Sequence, residues 1–286
     1  MDLKQLLLDL DSEDLKGLND EKINALTYEM LEQLGTTDPE LRDGLIYPTL
    51  AEIIGGGRLS GEELNRILEV CLDEQHLFCK LGEQGDSVFM RSFTSLIIVE
   101  LLVADSKKKF LSQEAFSNLL DKAIWYIAGE VDTRGYVEEK GWAHSIAHGA
   151  DMLAFLVHNP AFARDKTQSI LDAVENCLFK GAPYADDEDV RLVFVIKALM
   201  EKGLDEHALK AWLLGMMEKL ELQYIAERFS QASYRNLKNV RDFVKSLYFI
   251  MKMGGGKTGL RVDLLRMVKE LHKLQYENFG GIKGGE

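Results

Sequence analysis

A chain of 286 residues, 46% hydrophobic and 28% charged, holds enough apolar material for one large core or a continuous array of small ones. With 34 Lys and Arg against 47 Asp and Glu, its formal net charge of −13 excludes the basic footprint that a phosphate backbone demands, so no nucleic-acid partner is expected. Three cysteines, Cys71, Cys79 and Cys177, are an odd number set in apolar stretches; they exclude a disulfide framework and are expected as buried thiols of a reducing compartment.

Taken in chain order, the sequence reads as helix almost throughout: Leu, Glu, Lys and Ala abound, alternating Val and Thr are scarce, and there are four prolines. Met1-Asp2-Leu3-Lys4 carries no basic region followed by an apolar run and a cleavage site, so no secretion signal is expected. Breaks rich in Gly, Asp, Ser and Asn fall at Gly35–Asp38, Gly55–Ser60, Gly82–Asp86 and Asp105–Lys109. Later ones fall at Asp132–Gly135, Asn159–Pro160, Gly181–Asp187, Gly203, Ser230–Ser233 and Gly254–Gly256. The most apolar stretch, Ser95 to Ala104, is about ten residues and contains Glu100, short of the roughly 20 a membrane span needs. A cytoplasmic protein without a membrane partner is expected, no sheet is expected, and the tail Gly280–Glu286 is expected to be disordered.

Taken in pairs, the helices show a repeat. The second helix of each pair is expected to open with an acidic or polar residue, an arginine and an apolar run, as in Asp38-Pro39-Glu40-Leu41-Arg42 and Asp86-Ser87-Val88-Phe89-Met90-Arg91. The same pattern returns in Asp187-Glu188-Asp189-Val190-Arg191 and Asn236-Leu237-Lys238-Asn239-Val240-Arg241. Arg42, Arg91, Arg191 and Arg241 are 49, 100 and 50 residues apart, and the missing register falls near Trp142. The spacing predicts a single all-α domain over residues 1–286, five helix pairs plus a C-terminal cap helix from about Thr258 to Tyr276. That organisation resembles the right-handed α-α superhelix of armadillo- and HEAT-type solenoids, in which the second helices line one wall.

An arginine in the first turn of a helix opposes the macrodipole, so four of them imply compensating partners. They form either a structural ladder with nearby Asp or Asn, or a set converging on an anionic ligand, with Arg91 and Arg191 flanking the central unit. The densest chemistry lies in that unit, from Arg134-Gly135-Tyr136-Val137-Glu138 to Asp151. One helix is expected from Trp142 to His158, and on it His144 and His148, four residues apart, share a face, the spacing by which two imidazoles grip one metal. Ser145 stands where a zinc-protease helix carries glutamate, so a divalent metal would need Glu138, Glu139 or Asp187 as a third ligand. Asp151, three residues after His148, can hold one of its ring N–H groups. Three readings stay open: a polar network, a metal site at His144 and His148, or metal-free acid–base catalysis by His144, His148 and Asp151. The candidate ligand-binding set is Arg91, Arg134, Glu138, Trp142, Arg191 and Arg241.

Gly254-Gly255-Gly256-Lys257-Thr258 is not a phosphate loop, because Met251 stands where the first glycine belongs and a helix precedes it. The stretches Arg134–Glu138 and Gly141-Trp142-Ala143-His144-Ser145-Ile146-Ala147-His148-Gly149-Ala150-Asp151 resemble a bacterial family, domain-of-unknown-function family 2785, as do Asp86–Phe93 and Phe243–Phe249. These stretches span most of the chain. The resemblance implies a bacterial cytoplasmic origin and brings no activity, cofactor or catalytic residue. The leading expectation is a binding or scaffold module for a protein, a peptide or a small anionic ligand. The rival is a hydrolase-like enzyme using His144, His148 and Asp151.

Overall fold

The computed structural model describes residues 2–10, 15, 17–227, 230–254 and 258–276. The expected disordered tail and most of the glycine-rich break after Met253 lie outside these residues. Helix starts follow local chemistry: the side chains of Asn19, Ser60, Ser112 and Ser230 each accept from a backbone amide three residues on. Each satisfies one of the donors a first helical turn leaves free.

Two compact units result, residues 1–162 and 163–286. The first holds α1 (Leu3–Asp9), α2 (Asp20–Glu32), a π-helix (Glu40–Ile46) running into α3 (Tyr47–Gly55), α4 (Gly61–Cys71), α5 (Ser87–Lys108), α6 (Gln113–Gly129) and α7 (Ser145–His158). The second holds a 3-10 turn (Arg164–Lys166), α8 (Thr167–Leu178), α9 (Glu188–Glu201), α10 (Glu206–Glu227), α11 (Gln231–Met253) and α12 (Thr258–Tyr276). The all-α expectation therefore holds. In the first unit α5 packs against α3 and α7; in the second α9 packs against α11.

Helix α5 is the core of its unit. Its 22 residues are long and apolar enough to cross a membrane, which the ten-residue reading of Ser95–Ala104 missed, and 72% of its apolar 18-residue window is buried against its own fold. Helix α7 comes close to α6 at Gly149, where a Cβ would lie 3.1 Å from the Tyr126 ring.

Three expectations need correction. A small antiparallel ladder exists: β1 (Tyr136–Val137) pairs with β2 (Gly141–Trp142), with Tyr136 opposite Trp142 and Val137 opposite Gly141. Trp142 is therefore strand, and α7 begins only at Ser145, because His144 takes the left-handed conformation (φ 51°, ψ 30°) just before it. Arg241 is not in a first turn either; α11 starts ten residues earlier, at Gln231, because Ser230 caps it.

Candidate functional site

The hairpin is held from below by the π-helix. Gly141 has φ 76°, and a Cβ there would meet Pro39 Cβ at 2.8 Å and Arg42 Nη2 and Asp43 Oδ2 at 3.0 Å. Only glycine suits both the left-handed angle and the approach. The fully buried Arg42 donates from Nη1 to the Thr36 carbonyl and from Nη2 to the Lys140 carbonyl, each at 2.6 Å. Its guanidinium carbon lies 4.2 Å from the centre of the Phe89 ring and 4.7 Å from that of Phe93. Nε is 2.7 Å from Asp43 Oδ1 without the alignment of a hydrogen bond. Burial pushes the Arg42 guanidinium down and the Asp43 carboxyl up; their mutual attraction opposes both shifts, and the Trp142 amide also holds Asp43 down.

From the other side the 130–134 corner fixes the hairpin. Arg91 and Glu130, both fully buried, form a bidentate pair: Nε to Oε2 at 2.7 Å and Nη2 to Oε1 at 2.8 Å. Glu130 Oε1 also accepts the Val131 and Asp132 amides, and Arg91 spends its other donors on the Cys79, Lys80 and Glu83 carbonyls and Ser87 Oγ. Burial alone would lower the Arg91 guanidinium; the hydrogen bonds and charge of Glu130 carry it above its ordinary value. Arg134 pairs with Asp132 at 2.6 Å and donates to the Gly85 carbonyl. Burial would raise Asp132, but Arg134 and the amides of Gly85 and Arg134 hold its carboxyl below the usual range. Lys140 pairs with Asp86 at 2.7 Å.

Above these supports runs a row of rings. Tyr136 meets Trp142 edge to face at 5.3 Å, Trp142 stacks on His144 at 5.0 Å, and His144 meets His148 at 5.4 Å. His148 then meets Phe93 at 5.8 Å, and Phe93 meets Tyr47 at 6.2 Å. Tyr136 and Trp142 are 56% and 41% exposed, whereas Phe93 is a buried floor. The two imidazoles do come together as the spacing predicts, although His144 precedes the helix. Its left-handed backbone, rare outside glycine, is held by its own amide bond to the Arg134 carbonyl.

Ser92 fixes the His148 ring. Its buried Oγ makes a short hydrogen bond to the Ala143 carbonyl and lies 2.8 Å from His148 Nδ1. A carbonyl only accepts and a hydroxyl has one proton, so Ser92 donates to Ala143 and accepts from Nδ1–H. In the neutral imidazole Nε2 is then the acceptor. The Nδ1 proton therefore goes to Ser92. Ser92, with its proton committed and no exposed surface, is no nucleophile.

At the Tyr47 end the hydroxyl donates to Glu100 Oε1 at 3.1 Å. Burial, Glu100 and the nearby charge of Asp151 push the phenol up to about 12. Glu138 is exposed in the hairpin loop. Arg191 and Arg241 belong to the second unit. There Arg241 donates to Gln275 and to the Tyr276 hydroxyl and sits 3.3 Å from Asp242, while Arg191 is half-buried on α9. Among the described residues no three His, Cys, Asp or Glu side chains converge closely enough to hold a metal ion, and two imidazoles alone fall short of the usual zinc ligand count.

Sequence reasoning missed Ser92, Phe93, Tyr47 and Glu100 as members of this cluster. Glu100 gave the one legible signal, a charge inside an apolar helical run; Tyr47 gave none, since its place depends on how α3 packs against α5.

A family model described as "Protein of unknown function (DUF2785)" matches residues 77–249, more than half of the chain. No curated protein and no solved structure gives a significant match.

Proposed function

The chain belongs to the domain-of-unknown-function family 2785, and we propose that this member is a binding module whose recognition surface is the ring row from Tyr136 to Tyr47. One observation carries the reading: Trp142, 41% exposed, is stacked on a histidine held in the left-handed conformation. A large aromatic with one face in solvent and the other fixed is the usual anchor of a recognition surface. Strain of this kind persists only where the surroundings impose it. Here they are the Arg42 and Arg91 supports, whose terminal nitrogens donate to protein acceptors. The finer fold reading, a right-handed armadillo- or HEAT-like solenoid in the cytoplasm of a bacterium, is part of the proposal. It is supported by second helices packing on second helices within each unit and by three free thiols.

The test is a ligand-observed magnetic-resonance screen of small molecules and peptides of both charge signs against wild type and the Trp142→Ala/His144→Ala variant. Binders lost in a variant that keeps its melting temperature support recognition. A variant destabilised by more than about 3 kcal/mol instead marks the row as a structural network and overturns the proposal.

A second reading, acid–base catalysis, is favoured by the oriented His148. A ring whose Nδ1–H is held by Ser92 carries its acceptor nitrogen at Nε2 in its neutral form, the tautomer a general base at that atom requires. It requires turnover that disappears in His148→Ala while binding at Trp142 remains.

A further inference from the structure

The arginines of the first unit that were expected to meet an anion are engaged elsewhere. Arg42 lies under the hairpin, Arg91 is locked to Glu130, and Arg134 is locked to Asp132. Lys140, the next base along the hairpin, is paired with Asp86. The ring row itself ends on acid. Glu100 is half-buried on α5, accepts the Tyr47 hydroxyl at 3.1 Å, and among the described residues has no Lys, Arg or His within ion-pair distance. A half-buried carboxylate satisfied by one neutral hydroxyl keeps most of its acceptor capacity, since an ionised carboxylate has about four lone-pair sites. The rings beside it, Tyr47 over the Phe93 floor and His148 beyond, present π faces and edges with no added positive charge in the neutral state. Phe93 already carries one guanidinium, that of Arg42, on its buried side, so a second cation is placed at Glu100 and Tyr47 rather than over Phe93. A chain with formal net charge −13 adds a field of the same sign.

We propose that the ligand of the ring row presents a cationic head, a primary ammonium or a guanidinium, to Glu100 and lays its apolar stem along the rings toward Trp142. This rests on the recognition reading above and reverses the sign expected from the arginine row. The chemistry is the same whether the head belongs to a free amine or to a Lys or Arg side chain of a peptide. Recognition combines charge-assisted hydrogen bonds to Glu100, cation–π attraction from the neighbouring rings and burial of methylene groups against Trp142.

The experiment titrates the full chain with cadaverine, agmatine, an acetylated Gly-Arg-Gly amide and pentanoate, following the His148 ring resonance assigned with His148→Gln. Cadaverine or agmatine should shift it saturably and pentanoate should not. Binding should weaken at least tenfold in Glu100→Gln, which keeps the shape and an acceptor for Tyr47, and should weaken with added salt. If only the peptide binds, the head is a side chain of a protein partner; if the free amines bind as well, a small metabolite suffices. Should Glu100→Gln fail to fold, wild type decides: equal binding of cadaverine and of uncharged pentanol overturns the proposal. Equal affinity of Glu100→Gln and wild type also overturns it. Binding of pentanoate alone overturns the cationic assignment and leaves the recognition surface standing. Silence of every probe, together with an empty screen above, overturns both.

Discussion

Removing the partner of Arg91 should expose how much the first unit depends on one buried ion pair. Glu130→Gln preserves the shape of the side chain and deletes its charge. Both members of the native pair are fully buried, with two aligned contacts of 2.7 and 2.8 Å, and Glu130 also takes two backbone amides at 2.9 Å. Breaking such a pair on one side leaves an uncompensated guanidinium out of water, a loss of about 3–5 kcal/mol. A domain of ordinary stability has about 5–15 kcal/mol in all, so the urea midpoint should fall by about a fifth or more. The assay is urea unfolding followed by far-ultraviolet circular dichroism, read on wild type, Glu130→Gln, Arg91→Met and the Arg91→Met/Glu130→Leu pair. The double replacement should be less damaging than the two single losses added together, because it removes both charges. A Glu130→Gln loss under about 1 kcal/mol would refute the reasoning, since that is the worth of an exposed pair.

Two further outcomes follow from local geometry. Gly141→Ala should cost more than about 1–3 kcal/mol, the scale of backbone strain, because a clash with Pro39 adds to the left-handed angle. Gly82→Ala, at φ 90° with nothing within 4 Å, should cost about 1 kcal/mol in the same unfolding assay. Acid should also weaken the first unit through Asp132, whose carboxyl is held below its ordinary value in the fold. The unfolded carboxyl titrates near ~3.9, so the stabilisation is complete above that pH and is lost as pH falls through the lower folded value. Asp132→Asn should flatten the acid limb of a stability-against-pH curve measured from about pH 6 to about pH 3.

Much of the fold was legible because helices announce themselves locally. The period of about 50 residues located α5, α7 and α9, and the Ser, Gly and Asp breaks marked the loops. The hairpin was not legible, since two-residue strands leave no alternating pattern and Gly141-Trp142 reads as a helix start. What makes it a strand is Gly141 pressed on Pro39 and Arg42, about 100 residues away in sequence. The same limit applies to the candidate site. His144 and His148 were found by spacing, and the spacing survives although the helix starts at Ser145, three residues later than expected. Ser92, Tyr47 and Glu100 join them only through the packing of α3, α5 and α7. The arginines illustrate the converse: their repeat was visible, while Arg91 takes its acid from a corner 39 residues downstream rather than from its own turn.

The bond from Arg42 to the Lys140 carbonyl joins residues 98 apart in sequence. Helix pairs on either side can form from contacts within a few tens of residues, whereas this tie closes a long loop, and closure entropy must be met before the contact rewards it. The hairpin is therefore expected to be among the last parts of the unit to be assembled as the chain folds. It is also among the first to come apart under sub-global opening. Amides of the hairpin would then exchange with solvent through a door that the α5 core never opens.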